Sequence, residues 1–426
     1  MFIHFGPNTF TNREWGEGTE RPEVFNPAKL NCRQWAATAR LAGMKGIIIT
    51  AKHHDGFCLW PSKYSTHTVR ESLWKNGKGD VLKELSDACR EYGLKFGVYL
   101  SPWDRNHPTY GTPEYNTVFA KMLEEVLTGY GPVFEQWFDG ANGEGPNGKK
   151  QEYNWPLFFS TVKKHQPDAI IFSDGGPGCR WVGNEQGFAG ETNWCTLNAD
   201  KVFPGYPKFE ELTTGHEDGT HWVPAECDVS IRPGWFYSPD TDDKVKSLKQ
   251  LAEIYFGSVG RGANLLLNVP VDRNGLIPRA DSIRLMEFRQ YLDKAFAVNL
   301  ASGQLVRTPA TAYDHPSSNL VDNDSRSCWF SSEKYPVIEL MMEKPERFNI
   351  LVLQEGIAYG QRIKSFEVDA WVNGNYQTIA QGTTMGYKRI LQTDEVVTDK
   401  IRIRITESKA NPVLSEIQLY YNPIQL

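Results

Sequence analysis

The chain has 426 residues, of which 40% are hydrophobic and 23% charged, and its formal net charge at pH 7 is −6. This composition is typical of a globular protein, and the length exceeds that of one ordinary domain, so two domains are predicted. A negative net charge without a run of Lys or Arg argues against a nucleic acid or an anionic membrane surface as a partner.

Three further features narrow the class of protein. No apolar run reaches the 18 residues of a membrane-spanning helix, so no membrane insertion is expected. The seven Cys are scattered without a CxxC motif, which argues against a zinc ribbon or a disulfide framework and predicts buried thiols. Because the chain opens on "MFIHFG", which already reads as a strand, we expect a leader upstream of residue 1.

Eight short β-rich segments alternate with helix-like stretches up to about residue 297. The predicted strands are 1–6, 46–54, 95–101, 133–140, 169–176, 190–194, 222–231 and 264–270. Several are nearly continuous apolar runs, as in parallel strands covered on both faces. Eight β-then-α units predict a (β/α)8 TIM-like barrel. A doubly wound open sheet is the alternative, but no GxGxxG motif follows an early strand.

The pattern changes near residue 300. From about residue 305 onward, short alternating strands are separated by turns such as "NGNY", and helical periodicity disappears. This pattern predicts a C-terminal antiparallel β-sandwich. The predicted domains are therefore a barrel over 1–300 and a sandwich over 301–426.

Polar and aromatic residues cluster where the predicted barrel strands end, which is where active sites of such barrels lie. They are His4, His53, His54, Asp55, Tyr99, Trp137, Asp139, Arg180, Trp181, Glu185, Glu226, Asp228, Arg232 and Trp235. Any one of them alone is more simply a structural residue. Together, with no cluster of Lys, they predict a pocket for a neutral, hydroxyl-rich ligand. Adjacent His53 and His54 suggest a metal pair, but neighbours on a strand point to opposite faces, so hydrogen bonding is favoured.

Paired carboxylates beside aromatic rings are what glycoside cleavage requires. Asp139 closes the fourth strand on a site-facing position and is the better nucleophile candidate. Glu185, in the loop "WVGNEQG", is the better proton donor, with Glu226 and Glu191 as competitors. Glu135 is predicted to lie deeper in the barrel, either paired with a base or protonated.

With these residues assembled, the chain resembles the α-L-fucosidases of glycoside hydrolase family 29. The matching segments are "MFIHFG", "KHHDGF", "GVYLSPWD", "QWFDGANG", "RWVGNEQG", "GETNW" and "GRGANLLLNVPVDRNGLI". The segment "RWVGNE" is similar to the branch that cleaves α-1,3/1,4-linked fucose from Lewis-type glycans. A broad-specificity α-L-fucosidase, a non-catalytic lectin and a metal-dependent hydrolase are the alternatives.

The resemblance also implies roles for individual residues. Asp139 would be the nucleophile and Glu185 the general acid/base of a retaining double displacement, without a cofactor or an active-site metal. The residues expected to bind the sugar are His4, His53, His54, Tyr99, Trp137, Trp235, Glu14 and Trp15. The substrate would be an oligosaccharide or glycoconjugate, and the protein would be secreted or periplasmic.

The C-terminal part resembles discoidin-like, galactose-binding sandwiches. Its segment "NLVDNDSRSCWFS" (319–331) is similar to a turn where a structural Ca²⁺ can bind. We expect this domain to buttress the barrel rather than to bind glycan.

Overall fold

Alternating strands and helices occupy the first 295 residues, and strands dominate the remainder. The computed structural model describes residues 1–311, 314–424 and 426. The helices are α1 Pro7–Thr11, α2 Cys32–Leu41, α3 Val81–Glu91, α4 Pro113–Gly129, α5 Trp155–His165, α6 Phe209–Thr214, α7 Leu248–Ser258 and α8 Arg279–Ala295. The first ten strands are β1 Phe2–Ile3, β2 Gly46–Lys52, β3 Lys95–Leu100, β4 Glu135–Trp137, β5 Ile170–Ser173, β6 Cys179–Trp181, β7 Thr196–Leu197, β8 His221–Trp222, β9 Ala225–Ser230 and β10 Asn264–Asn268.

Eight of these strands close into a barrel in the order β1-β10-β9-β6-β5-β4-β3-β2. Every neighbouring pair is parallel. The strand β2 is buried along its whole length, as expected for a strand with side chains on both the inner and the helix-covered face. The predicted TIM-like barrel is confirmed.

The prediction of a sixth strand at 190–194 is wrong. The sixth barrel strand is β6, which follows β5 after only five residues and without an intervening helix. The connection is compact because it is rich in Gly: a Cβ added to Gly178 would lie 2.6 Å from the Ile171 nitrogen. The regular alternation of strands and helices therefore fails at this point, which sequence periodicity alone does not reveal.

The C-terminal part is an antiparallel sheet domain, as predicted. Its strands are β11 Leu305–Arg307, β12 Trp329–Phe330, β13 Val337–Glu355, β14 Ile363–Val372, β15 Asn375–Gly382, β16 Arg389–Ser408 and β17 Val413–Tyr420. The order is β12-β17-β13-β16-β14-β15, and β11 pairs with β13. The predicted division between residues 300 and 301 lies between α8 and β11.

The segment that was expected to be the sixth strand contacts this C-terminal sheet instead. The Asn193 N–H donates to Thr384 Oγ1 at 2.8 Å, and the Cys195 N–H donates to Gln361 Oε1 at 2.8 Å. Gln361 returns a hydrogen bond from its Nε2 to the Asn193 carbonyl at 2.8 Å. The two parts of the chain are thus joined by paired backbone and side-chain groups that are buried at their contact.

The seven Cys are all free and buried, which confirms the prediction of buried thiols. Among the helices of the described residues, none combines the length and the apolar character that crossing a bilayer requires.

A buried ion pair joins the end of β9 to the first turn of α8. The Arg232 guanidinium donates from Nη2 to Asp281 Oδ1 at 2.7 Å and from Nε to both carboxylate oxygens, and both side chains are fully buried. Arg232 therefore supports the fold and does not line the strand-end site as the sequence predicted.

We expect Asp281→Ala to lower the free energy of unfolding by roughly 3 kcal/mol or more, because it leaves a buried guanidinium without its main partner. Asp293→Ala is the matched control on the same helix, since Asp293 forms an exposed pair with Arg289 and should change stability by less than about 0.5 kcal/mol. Urea denaturation of both variants measures the difference. Equal effects would show that the buried pair does not hold α8 to the barrel.

Candidate active site

The ends of the first four barrel strands bring His4, His53, His54, Tyr99 and Asp139 together. His4 follows β1, and its Nδ1 lies 2.9 Å from Asn268 Oδ1 at the end of β10. The rings of His53 and Tyr99 stack with a centroid distance of 5.7 Å and an interplanar angle of 15°. The aromatic rings and polar atoms of these residues therefore line one end of the barrel.

The Asp139 carboxylate is held by three neighbours. It lies two residues beyond the end of β4, where the chain turns. The Tyr99 hydroxyl donates to its Oδ2 at 3.0 Å, and the Ala141 N–H donates to its Oδ1 at 2.8 Å. His54 Nε2 lies 3.7 Å from Oδ2. The side chain remains 26% exposed, so its oxygens are fixed but reachable by a ligand.

The three histidines of the site are held neutral by burial. Loss of hydration lowers the pKa of His4 to about 3 and of His54 to about 4. Burial also lowers the pKa of His53 well below its usual value. His54 Nδ1 is 2.7 Å from Ser101 Oγ, whereas His53 Nδ1 is buried and has no hydrogen-bond partner among the described residues. Neutral imidazoles of this kind suit hydroxyl groups better than anions.

Glu185 and Glu14 approach the site from two loops and meet at Trp235. The Trp235 Nε1–H donates to Glu185 Oε2 at 3.3 Å, and the Trp235 backbone N–H donates to Glu14 Oε2 at 2.7 Å. Partial burial raises the pKa of the Glu185 carboxyl, and the charge of Asp139 raises it further. The pKa of Glu14 is also raised, mainly by burial. The charge of Asp139 therefore reaches the Glu185 carboxyl group.

The two tryptophans Trp15 and Trp137 lie at different depths in the pocket. Trp15 is 58% exposed and meets His54 edge-to-face, with ring centroids 5.7 Å apart. Trp137 is buried between Tyr99 and Phe172, with centroid distances of 5.1 and 4.1 Å, and its Nε1–H donates to Glu226 Oε1 at 3.1 Å. Trp15 is a rim residue, whereas Trp137 belongs to the floor.

Beneath this floor lies the carboxyl pair Glu135 and Glu226. Burial, together with the Glu226 charge, raises the pKa of Glu135 well above its usual value. Glu226 accepts hydrogen bonds from Trp137 and, at 2.7 Å, from Asn264 Nδ2. Glu135 is therefore the carboxyl of the pair that more readily keeps a proton. It is buried deep in the barrel, and no basic side chain is among its hydrogen-bond partners in the described residues.

Besides Arg232, three candidates from the sequence lie away from the pocket. Glu226 supports Trp137 from below, and the Glu191 side chain is 76% exposed beside Arg261. Arg180 is buried and donates to Leu212, Val223 and Asn193. Conversely, Asn268 and Ser101 orient His4 and His54 but were missed. The only signal was their position, as polar residues that end an apolar strand.

This arrangement has the chemistry of a glycoside hydrolase. Neutral hydrogen-bonding groups and aromatic rings can hold a sugar, while one fixed carboxylate faces a second carboxyl whose pKa is raised. The site lies at the C-terminal ends of the strands of a parallel barrel, where such enzymes have their active sites.

The comparisons with known proteins identify the family. A family model described as Alpha-L-fucosidase matches residues 3–295. Alpha-L-fucosidase 1 of Arabidopsis thaliana is 41% identical over 432 residues, covering 99% of this chain and 84% of that protein. The crystal structure of SpGH29 has a TM-score of 0.95 and 41% identity, and 99% of this chain and 95% of that chain are covered. The chain belongs to the α-L-fucosidase family, glycoside hydrolase family 29, and is a glycoside hydrolase.

A third relative has been solved with a sugar. The structure of a Ruminococcus gnavus glycoside hydrolase 29 fucosidase in complex with fucose has a TM-score of 0.89 and 33% identity to this chain. The match covers 99% of this chain and 92% of the other.

The buried neutral state of His54 predicts how stability depends on pH. Its folded pKa of about 4 lies below the unfolded value near 6.5. Its contribution is thus fully present above pH 6.5 and is lost as pH falls, because the unfolded chain binds the proton first. Between pH 6.5 and 4.5, we expect the wild type to lose about 2 kcal/mol more unfolding free energy than His54→Gln. Urea titrations at successive pH values test this, and parallel curves for the two proteins would contradict it.

Proposed function

We propose that this enzyme is a retaining exo-α-L-fucosidase that removes α-1,3/1,4-linked fucose from Lewis-type branched glycans. One observation carries the proposal: the Asp139 carboxylate is fixed by Tyr99 and Ala141 within electrostatic reach of Glu185, whose pKa is raised. A nucleophile must be ionised and an acid protonated at the same pH. The raised pKa of Glu185 suits the acid, and the two donors at Asp139 orient the nucleophile.

In this mechanism Asp139 attacks the anomeric carbon of fucose while Glu185 protonates the departing glycosidic oxygen. The Tyr99 hydroxyl and the Ala141 N–H keep the attacking carboxylate oriented. Glu185, now ionised, then takes a proton from water, and that water displaces Asp139 from the fucosyl-enzyme with net retention of configuration.

The same proposal assigns the sugar contacts. His4, His53 and His54 bind hydroxyl groups as neutral imidazoles, and the lowering of their pKa values by burial supports this role. Trp235 provides apolar surface for the ring and its methyl group. Trp137, whose two faces are covered by Tyr99 and Phe172, borders the sugar only with the ring edge left at the pocket floor. Glu14 holds the Trp235 backbone, while the exposed Trp15 borders the sugar that carries the fucose.

The linkage preference rests on the resemblance of "RWVGNE" (180–185) to the Lewis-specific branch. A broad-specificity α-L-fucosidase is the alternative, and a non-catalytic lectin is less consistent with the presence of both carboxyl groups, Asp139 and Glu185, in the pocket. Secretion or export to the periplasm remains a prediction from the family resemblance.

We expect fucose release from Lewis a and Lewis x trisaccharides to exceed release from 2′-fucosyllactose. Asp139→Asn should abolish turnover, and Glu185→Gln should lower trisaccharide kcat by about 10²–10⁴-fold, the usual contribution of a general acid. Glu191→Gln is the matched control, because that carboxylate belongs to the same region but faces solvent. Product release followed by proton NMR should show the α anomer of fucose first.

Each component of the proposal can fail separately in this experiment. Equal rates on all substrates would indicate the broad-specificity enzyme, and initial release of the β anomer would exclude retention. Full activity of Glu185→Gln would remove it as the acid/base, and no release by the wild type would favour the lectin.

We also propose that the C-terminal sheet domain holds a structural Ca²⁺ near Asp322, Asp324 and Glu416. The Glu416 Oε1 atom is buried and lacks a hydrogen-bond partner among the described residues. Burial raises the pKa of Glu416 to about 7, and the two aspartates add to the shift. A hard cation with oxygen ligands would relieve this concentration of acidic groups, and it would compete with Arg326, which donates to both carboxylate oxygens of Asp324.

Removal of Ca²⁺ with EGTA should lower the thermal midpoint of the sheet domain by about 5 °C, because an ion bound only by the folded state stabilises it. Glu416→Gln should lose most of this dependence, whereas the exposed control Glu343→Gln should retain it. Calorimetry with and without Ca²⁺ measures the effect. Identical midpoints for the wild type in both conditions would exclude the ion.

A further inference from the structure

A buried carboxyl group beside the site has no part in the proposed mechanism. Asp228 lies in β9 and is 3% exposed. It alternates with Glu226 and Ser230, so the three side chains share the face that points into the barrel. The Trp181 Nε1–H donates to Asp228 Oδ1 at 2.8 Å. This hydrogen bond joins β9 to the last residue of β6.

The segment that carries Glu185 begins at Trp181 and runs along β9. The Val182 N–H donates to the Glu226 carbonyl at 3.0 Å, and Gln186 forms an antiparallel bridge with Val229. Gly187 packs closely, since a Cβ there would lie 2.8 Å from Val229 Cγ1. These contacts bracket Asp228 and hold the backbone at both ends of the segment, and the Trp181 hydrogen bond adds the side-chain contact at its start.

Among the described residues, the charged groups that act most strongly on Glu185, Glu14 and Asp228 are acidic. Asp139 faces Glu185 from the end of β4, and Glu14 faces it from the loop after α1. Asp228 faces Glu185. It also faces Glu226, which lies two residues earlier on the same face of β9 and deeper in the barrel. Burial raises the pKa of Asp228 well above its usual value, and the Glu185 charge adds to the shift. A neutral Asp228 can still accept the Trp181 N–H and adds no repulsion.

We propose that Asp228 is a positioning residue that holds the Glu185 segment through the Trp181 indole. The inference rests on the proposed role of Glu185 as acid/base. When Glu185 gives up its proton, a new anion forms next to Asp228. A neutral carboxyl group there permits this, whereas a second carboxylate would oppose it. Asp228 therefore contributes to the leaving-group step without touching the substrate.

The experiment compares two substrates with different leaving groups, Lewis x trisaccharide and 2-chloro-4-nitrophenyl α-L-fucoside. The aryl group departs with little protonation, so only the trisaccharide depends strongly on an aligned acid. Asp228→Leu removes the acceptor for Trp181 and should lower trisaccharide kcat/KM by about 30-fold, part of the 10²–10⁴ that a general acid supplies. The aryl fucoside should lose less than about 5-fold, and Trp181→Phe should behave similarly.

Asp228→Asn is the conservative variant, because its amide oxygen can accept the indole N–H and its charge is zero. It should restore most trisaccharide activity and leave the alkaline limb of the kcat/KM profile within about 0.3 pH units of the wild type. A shift of that limb toward lower pH by one unit would show that Asp228 is ionised, which overturns the proposal. Equal losses on both substrates in Asp228→Leu and Trp181→Phe would also overturn it, as a general structural defect.

The proposed function and this inference fail in different ways. Absence of fucose release by the wild type would reject the function. Normal wild-type activity with an unselective Asp228→Leu defect would reject only the role of Asp228.

Discussion

Removal of water from ionisable groups is the constraint on which the site depends. Carboxyl and imidazole groups lie inside the barrel from its core to its C-terminal end, and most of them are buried away from water. Burial lowers the pKa of His4 and His54 and raises the pKa of Glu135 and Asp228, so it favours the neutral form of all four groups. Negative charge is consequently concentrated where donors are available to stabilise it. Asp139, with its hydroxyl and backbone N–H donors, is such a place.

The aromatic residues at the floor of the pocket, Trp137 and Tyr99, connect the buried carboxyl pair to Asp139. Trp137 is stacked on both faces, and its N–H is bound by Glu226, so the ring has little freedom to move. Tyr99 rests on Trp137 and presents its hydroxyl to Asp139. The orientation of the proposed nucleophile thus depends on a carboxyl pair below the pocket that never meets the substrate.

Sequence reasoning recovered the barrel because apolar strands and polar strand ends are local patterns. It recovered the residues around Asp139 for the same reason, since parallel strands end at one edge. It failed at β6, a three-residue strand without a preceding helix, whose place is set by long-range pairing with β5 and β9. It also treated Glu226 as a competitor for catalysis. Only the fold shows that one carboxylate oxygen of Glu226 accepts a hydrogen bond from the Trp137 indole.

The misassigned segment 190–194 explains how the sheet domain can buttress catalysis. Asn193 is bound by Thr384 and Gln361 of the sheet, and its Oδ1 accepts a hydrogen bond from Arg180 Nη2 at 2.8 Å. Arg180 precedes Trp181, the residue from which the Glu185 segment departs. Because each link is buried and polar, loosening one would leave a donor or an acceptor unsatisfied. The sheet domain therefore contacts, through Asn193 and Arg180, the side of the barrel that carries Glu185.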